Sequence, residues 1–256
     1  MEKDLDFDLY LKRIGYLENT EADLQTLSAV MQAQLMTVPF ENLDIVDLKR
    51  GIDMDPAHLF EKIVTNHRGG FCFELNKLFY LLLKALDYNV YPVAARVVWR
   101  RDNIPPLSHR ASIVTLNGQE WFSDVGFGGP GPKAPLCLST DEEQNVSGEI
   151  FRAVKSGDAT LISKKDNGGW MPILSFGSKP FEETDFSILC YYFSTSSESV
   201  FTQRRIVNIC LPNGYASIQD NFFTLCENGC TTISEIKSQD ELKLILRNRF
   251  GIDAAL

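Results

Sequence analysis

The sequence lacks any apolar run of membrane-spanning length. Its longest, Leu78-Phe79-Tyr80-Leu81-Leu82-Leu83, falls far short of the roughly 20 residues a transmembrane helix needs. Residues 1–6, Met-Glu-Lys-Asp-Leu-Asp, show no basic stretch leading into an apolar one, so no secretory leader is expected. Cysteine is sparse, with six in 256 residues, too few for a disulfide scaffold. Reduced thiols in a cytoplasmic protein are expected, leaving one of them free for chemistry. Histidine is scarcer still, at three residues, so imidazole chemistry must fall to His58, His67 or His109. Positive charge is also short: 34 acidic against 25 basic side chains give a net charge of −9. That excludes a general nucleic-acid binder and a protein held electrostatically on an anionic membrane.

What is present is ordinary for a folded protein: 44% hydrophobic and 23% charged residues, with length enough for a sizeable core. The charge is uneven. Residues 91–136 carry Arg96, Arg100, Arg101, Arg110 and Lys133 against three acids, a net of +2 within an acidic chain. Such a window points weakly to an anionic ligand, and equally to solvated surface.

The first third reads as helical. Apolar spacing predicts helices over 8–16, 20–36, 55–65 and 71–86, the second stopped by Pro39 and the third opened by Asp55-Pro56. In the fourth, Leu75, Leu78, Phe79, Leu82 and Leu86 share a face. From residue 89 the texture turns to strands, over 90–99, 109–116, 119–125, 149–155, 160–165 and 170–176. Asn117-Gly118 marks a hairpin. After Pro180 the pattern is mixed, with strands expected over 199–211 and 215–225, then a helix opened by Ser238 and stopped by Gly251. Helices, then antiparallel strands, then a mixed tail describe an α+β protein.

Cys72 is the leading candidate for chemistry. In the first turn of a helix a thiol meets the positive end of the macrodipole and unpaired N–H groups, which favour thiolate. Gly69 and Gly70 before it are expected to leave that helix end open. Taken alone, a helix-start cysteine more often serves as a small buried hydrophobe. A nucleophile needs a base, and the base an orienting group. With a two-residue loop at Asn117-Gly118, Leu116 pairs with Gln119, and Asp124 falls opposite Ala111. It is then a diagonal, same-face neighbour of His109, within side-chain reach. One residue more or less in the loop would turn Asp124 to the other face. His67 is the rival base but lies in a break with no carboxylate to match, and His58 reads as helix surface. The segment 126–131, Gly-Phe-Gly-Gly-Pro-Gly, lacks the lysine and helix of a phosphate-binding loop; it reads as a flexible wall beside Asp124 or an ordinary barrel-rim loop. Cys226 and Cys230 flank a second Asn-Gly turn without another ligand pair, so no metal site is expected.

In order along the chain, Val38-Pro-Phe-Glu-Asn-Leu-Asp-Ile45, Arg68-Gly-Gly-Phe-Cys-Phe-Glu-Leu-Asn76, His109 and Asp124-Val-Gly-Phe-Gly128 resemble the signature blocks of the arylamine N-acetyltransferases. The segments 7–16 and 194–201 are similar as well. The resemblance implies three lobes: a helical bundle over 1–87 bearing Cys72, a β-barrel over 88–185 bearing His109 and Asp124, and an α/β lid over 186–256, around a cysteine-protease-like Cys-His-Asp core. It implies acetyl-CoA as co-substrate without a metal, and a small aromatic amine, hydrazine or hydroxylamine as acceptor. Carried over by position, Cys72 is nucleophile, His109 base and Asp124 its orienter. Phe40, Phe73, Phe127 and Phe201 line the cleft, and Ser108, Gly126 and Gly128 lie beside the coenzyme. Arg68 and Glu41 form a structural ion pair. Arg96, Arg100, Arg101 or Lys133 is expected to meet the CoA phosphates. The chain departs from the family pattern at Gln34, where the family has histidine, and at Arg110, where it has a simpler residue. A cysteine hydrolase, a transglutaminase-like enzyme, or a catalytically silent binding protein on the same fold are the alternatives.

Overall fold

The computed structural model describes residues 5–18 and 20–253. Residues 1–4, at the start of the expected first lobe, and 254–256, at the end of the third, lie outside the described residues.

In the first ninety residues, helices begin where a side chain replaces a missing backbone partner. Asp6 accepts from the Leu9 N–H at 2.9 Å to cap α1 (Phe7–Arg13), and Asp23 from Thr26 N–H at 2.7 Å to cap α2 (Leu24–Thr37). A two-residue strand β1 (Phe40–Glu41) and a single turn α3 (Leu43–Val46) follow. The Asp55-Pro56 start opens α4 (Pro56–Phe60), but the continuous helix expected over 55–65 widens into a π-helical turn at Glu61–Thr65. In that turn Ile63 and Val64 are buried while Lys62 meets Asp44 and Glu74. Cys72 is the first residue of α5 (Cys72–Ala85); of its expected apolar face Leu75, Leu78, Phe79 and Leu82 are buried, while Leu86 is the half-buried residue that caps the helix end.

Eight strands follow: β2 (Asn89–Val97), β3 (Leu107–Leu116), β4 (Gln119–Ser123), β5 (Leu136–Cys137), β6 (Gln144–Val146), β7 (Glu149–Ser156), β8 (Ala159–Asp166) and β9 (Gly169–Gly177). They pair antiparallel in the order β5-β4-β3-β2-β9-β8-β7-β6. The two ends of this sheet are joined by one side chain. Gln144 accepts from the Cys137 N–H and donates to its carbonyl, both at 2.9 Å, so the barrel is nearly closed. Its interior is filled by residues such as Val93, Ala111, Ile113, Phe122 and Phe151. The β3–β4 turn places Asn117 and Gly118 both at positive φ, 50° and 77°, as a two-residue hairpin turn requires. Leu116 pairs with Gln119 and Ser112 with Ser123, which is the expected register.

The tail departs most from expectation. A helix, α6 (Glu183–Thr195), occupies the stretch read as mixed, and Ser199 caps a short helix α7 (Val200–Gln203) instead of starting a strand. The strands are β10 (Ile206–Leu211), β11 (Gly214–Gln219), β12 (Phe222–Glu227) and β13 (Cys230–Glu235), closed by α8 (Gln239–Phe250) with Gly251 at φ 67°. Their sheet runs β1-β10-β11-β12-β13, so the N-terminal region contributes its first strand. Asn42 locks this join: its amide donates to the Phe201 and Arg204 carbonyls at 2.8 Å and accepts from the Ile206 N–H at 2.8 Å. On α6, Phe186, Cys190 and Phe193 enter the helical core beside Phe73. The boundary expected after residue 185 therefore falls within the first turn of a helix that packs on the bundle. The molecule is α+β: a helical bundle, an antiparallel barrel and an α/β lobe. Among the described residues no helix is long and apolar enough to cross a membrane.

Candidate active site

Three elements deliver three side chains to one point. Cys72 sits at the start of α5, His109 near the start of β3, and Asp124 one residue beyond β4; they are 2%, 2% and 3% exposed. The hairpin register brings His109 Nε2 to 2.6 Å from Asp124 Oδ2. The imidazole also interacts with the Cys72 thiol, which lies 3.7 Å from the Ser108 carbonyl. Burial opposes charging the imidazole. The Asp124 carboxylate, through its charge and its hydrogen bond, and then the Cys72 thiol overcome that and raise the His109 pKa to about 10. At neutral pH the site therefore favours imidazolium.

Asp124 is itself fixed. Its Oδ1 accepts from Asn76 Nδ2 and from the Gly126 N–H, both at 2.9 Å, while Asn76 also donates to the Arg110 carbonyl at 2.6 Å and accepts from the Val125 N–H at 3.0 Å. Asn76 follows Cys72 by four residues, one turn down the same face of α5. Its role did not emerge from the sequence; the signal was a polar residue on an otherwise apolar buried face.

A second cluster, partly open to solvent, also adjoins the helix start. Arg68 meets Glu41 Oε1 at 2.7 Å and Asp44 at 3.2 Å, and Lys62 bridges Asp44 at 2.6 Å and Glu74 at 2.7 Å. Glu74 also accepts from the Phe71 N–H at 3.0 Å, holding the helix entry, and Glu41 accepts from the Leu43 N–H at 2.8 Å. Arg68 and Glu41 thus belong to a five-residue network. Gly69 and Gly70 do not leave the helix end open. A Cβ on Gly69 would stand 2.0 Å from the Pro39 carbonyl oxygen, and the Glu41 N–H donates to the Gly70 carbonyl at 2.9 Å. These glycines let backbone pack on backbone.

A narrow slot passes Asp124, lined by Val38, Phe40, Phe127 and Gly128 with Lys133, Asn208 and Cys210 at its side. Gly126 packs on the helix start, where a Cβ would come within 3.0 Å of Cys72 Cα and 2.7 Å of Asn76 Nδ2. Phe127 meets the His109 ring edge-on at 5.5 Å. Phe201 contacts Phe40 and Phe71 at 6.1 and 5.6 Å. Phe73 differs from expectation: fully buried between Phe186 and Phe193, it is core beneath α6 and not cleft wall. His67 is exposed with φ 52°, and His58 pairs with Asp53 on the surface; neither approaches Cys72 as a base. Of the basic window, Arg110 is wholly buried against Glu183, Arg96 donates to the Pro105 carbonyl at 2.6 Å, and Arg100 stacks 4.8 Å from the Trp99 ring. Only Lys133 borders the slot. Among the described residues no three His, Cys, Asp or Glu side chains gather as metal ligands.

The chain can now be set beside known proteins. An N-acetyltransferase family model matches residues 23–255. An arylamine N-acetyltransferase of Mycolicibacterium smegmatis is 30% identical over 97% of this chain and 92% of its own length. The structure of arylamine N-acetyltransferase from M. tuberculosis superposes with a TM-score of 0.92 at 30% identity, covering 98% of this chain and 95% of that one. That of the Mycobacterium marinum enzyme in complex with CoA gives 0.90 at 28% identity, over 97% and 93%.

Proposed function

The chain belongs to the arylamine N-acetyltransferase family, and from that premise we propose that it moves an acetyl group from acetyl-CoA to a small aromatic amine, hydrazine or hydroxylamine through an acetyl-Cys72 intermediate. The observation that carries this reading is the buried Cys72–His109–Asp124 group, with His109 Nε2 at 2.6 Å from Asp124 Oδ2 and the same imidazole interacting with the thiol.

His109 takes the Cys72 proton, and Asp124 stabilises the imidazolium. The thiolate attacks the acetyl carbonyl carbon. Backbone N–H groups at the start of α5, which no preceding helical turn engages, stabilise the developing oxyanion. The C–S bond to CoA breaks, and CoA leaves with the proton from His109. An arylamine nitrogen then attacks the acetyl-cysteine carbon. His109 accepts the amine proton as general base, the Cys72 thiolate is expelled, and proton return restores the thiol. Phe40, Phe127 and Phe201 hold the aryl ring in this scheme, Ser108, Gly126 and Gly128 flank the pantetheine, and Lys133 leads the basic residues in meeting the phosphates. The bundle then supplies the nucleophile, the barrel its base, and the C-terminal lobe covers the cleft. A cytoplasmic location with reduced thiols belongs to the same proposal and is consistent with six free cysteines.

Incubation with acetyl-CoA alone, followed by peptide mass spectrometry, is expected to add one acetyl group to the Cys72 peptide and none in Cys72→Ala. An unmodified wild type, or equal modification of both, would refute the reading. Acceptor-dependent release of CoA, against release in water, then separates transfer from hydrolysis.

A further inference from the structure

Arg110 follows His109 directly on β3 and points the other way, into the helical core. It is 0% exposed. Its guanidinium makes two hydrogen bonds to Glu183, the first residue of α6, Nη1 to Oε2 at 3.0 Å and Nη2 to Oε1. It also lies 4.3 Å above the Phe186 ring and 5.7 Å from that of Tyr80, while its Nε has no partner. The same Glu183 carboxylate receives Lys77 of α5 at 3.4 Å. The main chain of Arg110 is anchored too, its carbonyl held at 2.6 Å by the Asn76 amide that grips Asp124.

These contacts close a loop through three elements: β3, which carries His109; α6, through Glu183; and α5, which carries Cys72. Packing alone does not call for a charge here. A methionine would cover Phe186 without the cost of burying a guanidinium, and apolar replacements of buried ion pairs are often neutral or stabilising. What the bidentate pair adds is a fixed orientation.

We infer that Arg110, clasped by Glu183, is a positioning residue that sets the His109 imidazole against the Cys72 thiol. The inference rests on the nucleophile–base reading proposed above. It concerns a residue that touches neither substrate nor the reacting atoms, and it acts on the acylation rate and not on ligand affinity.

The test uses the whole chain with Arg110→Met, Arg110→Lys and Glu183→Gln. Because the Glu183 side chain is 42% exposed, Glu183→Gln breaks the clasp from the surface even where Arg110→Met fails to fold. Two readouts are taken on folded protein: the rate of Cys72 acetylation, resolved into maximal rate and half-saturating acetyl-CoA, and the pH profile of iodoacetamide labelling at Cys72. A slackened clasp is expected to lower the maximal acetylation rate about 10- to 100-fold, with half-saturation unchanged and labelling displaced toward alkaline pH. Arg110→Lys keeps the charge but not the fork, so it is expected to recover thermal stability before it recovers rate. Wild-type rates and an unmoved labelling profile in folded Arg110→Met or Glu183→Gln overturn the inference. Should wild type accept no acetyl group, the acetyltransfer reading fails instead, and labelling, which needs no acetyl-CoA, still reports on the clasp.

Discussion

Two clusters of largely buried charge adjoin the first turn of α5, and they are built to opposite ends. On one side Glu41, Asp44, Lys62, Arg68 and Glu74 saturate one another and the backbone. On the other, Asp124 is saturated by Asn76, Gly126 and His109, but the line ends on Cys72, whose contact besides the imidazole is a weak one to the Ser108 carbonyl at 3.7 Å. The first cluster turns its hydrogen bonds on its own members and on the Leu43 and Phe71 N–H groups, holding the entry to the helix. The second runs from the carboxylate through the imidazole to the thiol that the proposed acetyl transfer uses as its nucleophile. Burial does the same thing to both, raising the cost of any unpaired charge; what differs is whether the chain of partners is closed.

The largest effect is expected where the open chain is cut. Asp124→Asn is expected to lower the rate of Cys72 acetylation by about 10³- to 10⁴-fold, the scale seen when an orienting carboxylate is neutralised in a related triad. The pH dependence carries the sign. With Asp124 present, His109 keeps its proton until about pH 10, so wild-type acylation is expected to decline only near that value. Without it, only the Cys72 thiol is left to oppose burial, so the imidazole pKa falls and the imidazolium is lost at a lower pH than in wild type. Rapid-quench acetylation between pH 6 and 10 measures both; an Asp124→Asn variant with the wild-type profile would dissolve the distinction between the two clusters.

Cutting the closed network should cost stability instead. Arg68→Met leaves Glu41, 0% exposed, without its counter-charge. Removing one partner of a buried pair costs about 3–5 kcal/mol, read as a lower urea midpoint, while iodoacetamide labelling of Cys72 in the folded fraction keeps its pH profile. A moved profile at unchanged stability would show that the network tunes the thiol.

Asp44 in the first cluster and His109 in the second should make themselves felt at opposite ends of the pH range. Although burial pushes the Asp44 carboxyl up, Lys62 and Arg68 bring it below the usual carboxylate range. Its contribution is therefore present above the unfolded-state pKa and lost as pH falls through the depressed folded value. His109 has its folded pKa raised, so its contribution is complete below the ordinary imidazole pKa and lost as pH rises toward about 10. Urea midpoints against pH are expected to lose part of their acid slope in Arg68→Met and part of their alkaline slope in Asp124→Asn.

Much of the catalytic side was legible because it depends on short-range rules. Asn117-Gly118 fixes a two-residue turn, the turn fixes the register, and the register sets Asp124 on the face of His109. Cys72 was placed by helix periodicity and by the Gly-Gly break. The network side was less legible, since Asp44, Lys62 and Glu74 meet only after three helices have packed, and no spacing in the sequence encodes that. α6 was missed because Glu183–Thr195 is rich in Ser, Thr, Tyr and Phe, residues of modest helix propensity, and takes its stability from Phe186, Cys190 and Phe193 in a distant core. Arg110 belonged to a basic window read equally as anion-binding or as solvated surface, and its burial against Glu183 makes it neither. Gly69 and Gly70 announced a special backbone position, but a sequence does not say whether a ligand or another strand fills it.

Those glycines supply the smallest and most symmetric test. Gly69 faces the closed network, and a Cβ there would meet the Pro39 carbonyl oxygen at 2.0 Å, backbone that cannot yield cheaply; Gly126 faces the open line, and a Cβ there would meet Asn76 Nδ2 at 2.7 Å and Cys72 Cα at 3.0 Å. Each alanine adds one methyl group, and overpacking of this kind costs about 1–3 kcal/mol. The same small insult should be read out differently on the two sides. Gly69→Ala is expected to lower the melting temperature while the folded enzyme acetylates Cys72 at the wild-type rate. Gly126→Ala pushes on the amide that holds Asp124, so it is expected to slow acetylation in protein that remains folded. If both variants lost stability alone, Asn76 would be a packing residue and the orientation of Asp124 would rest on the barrel register by itself.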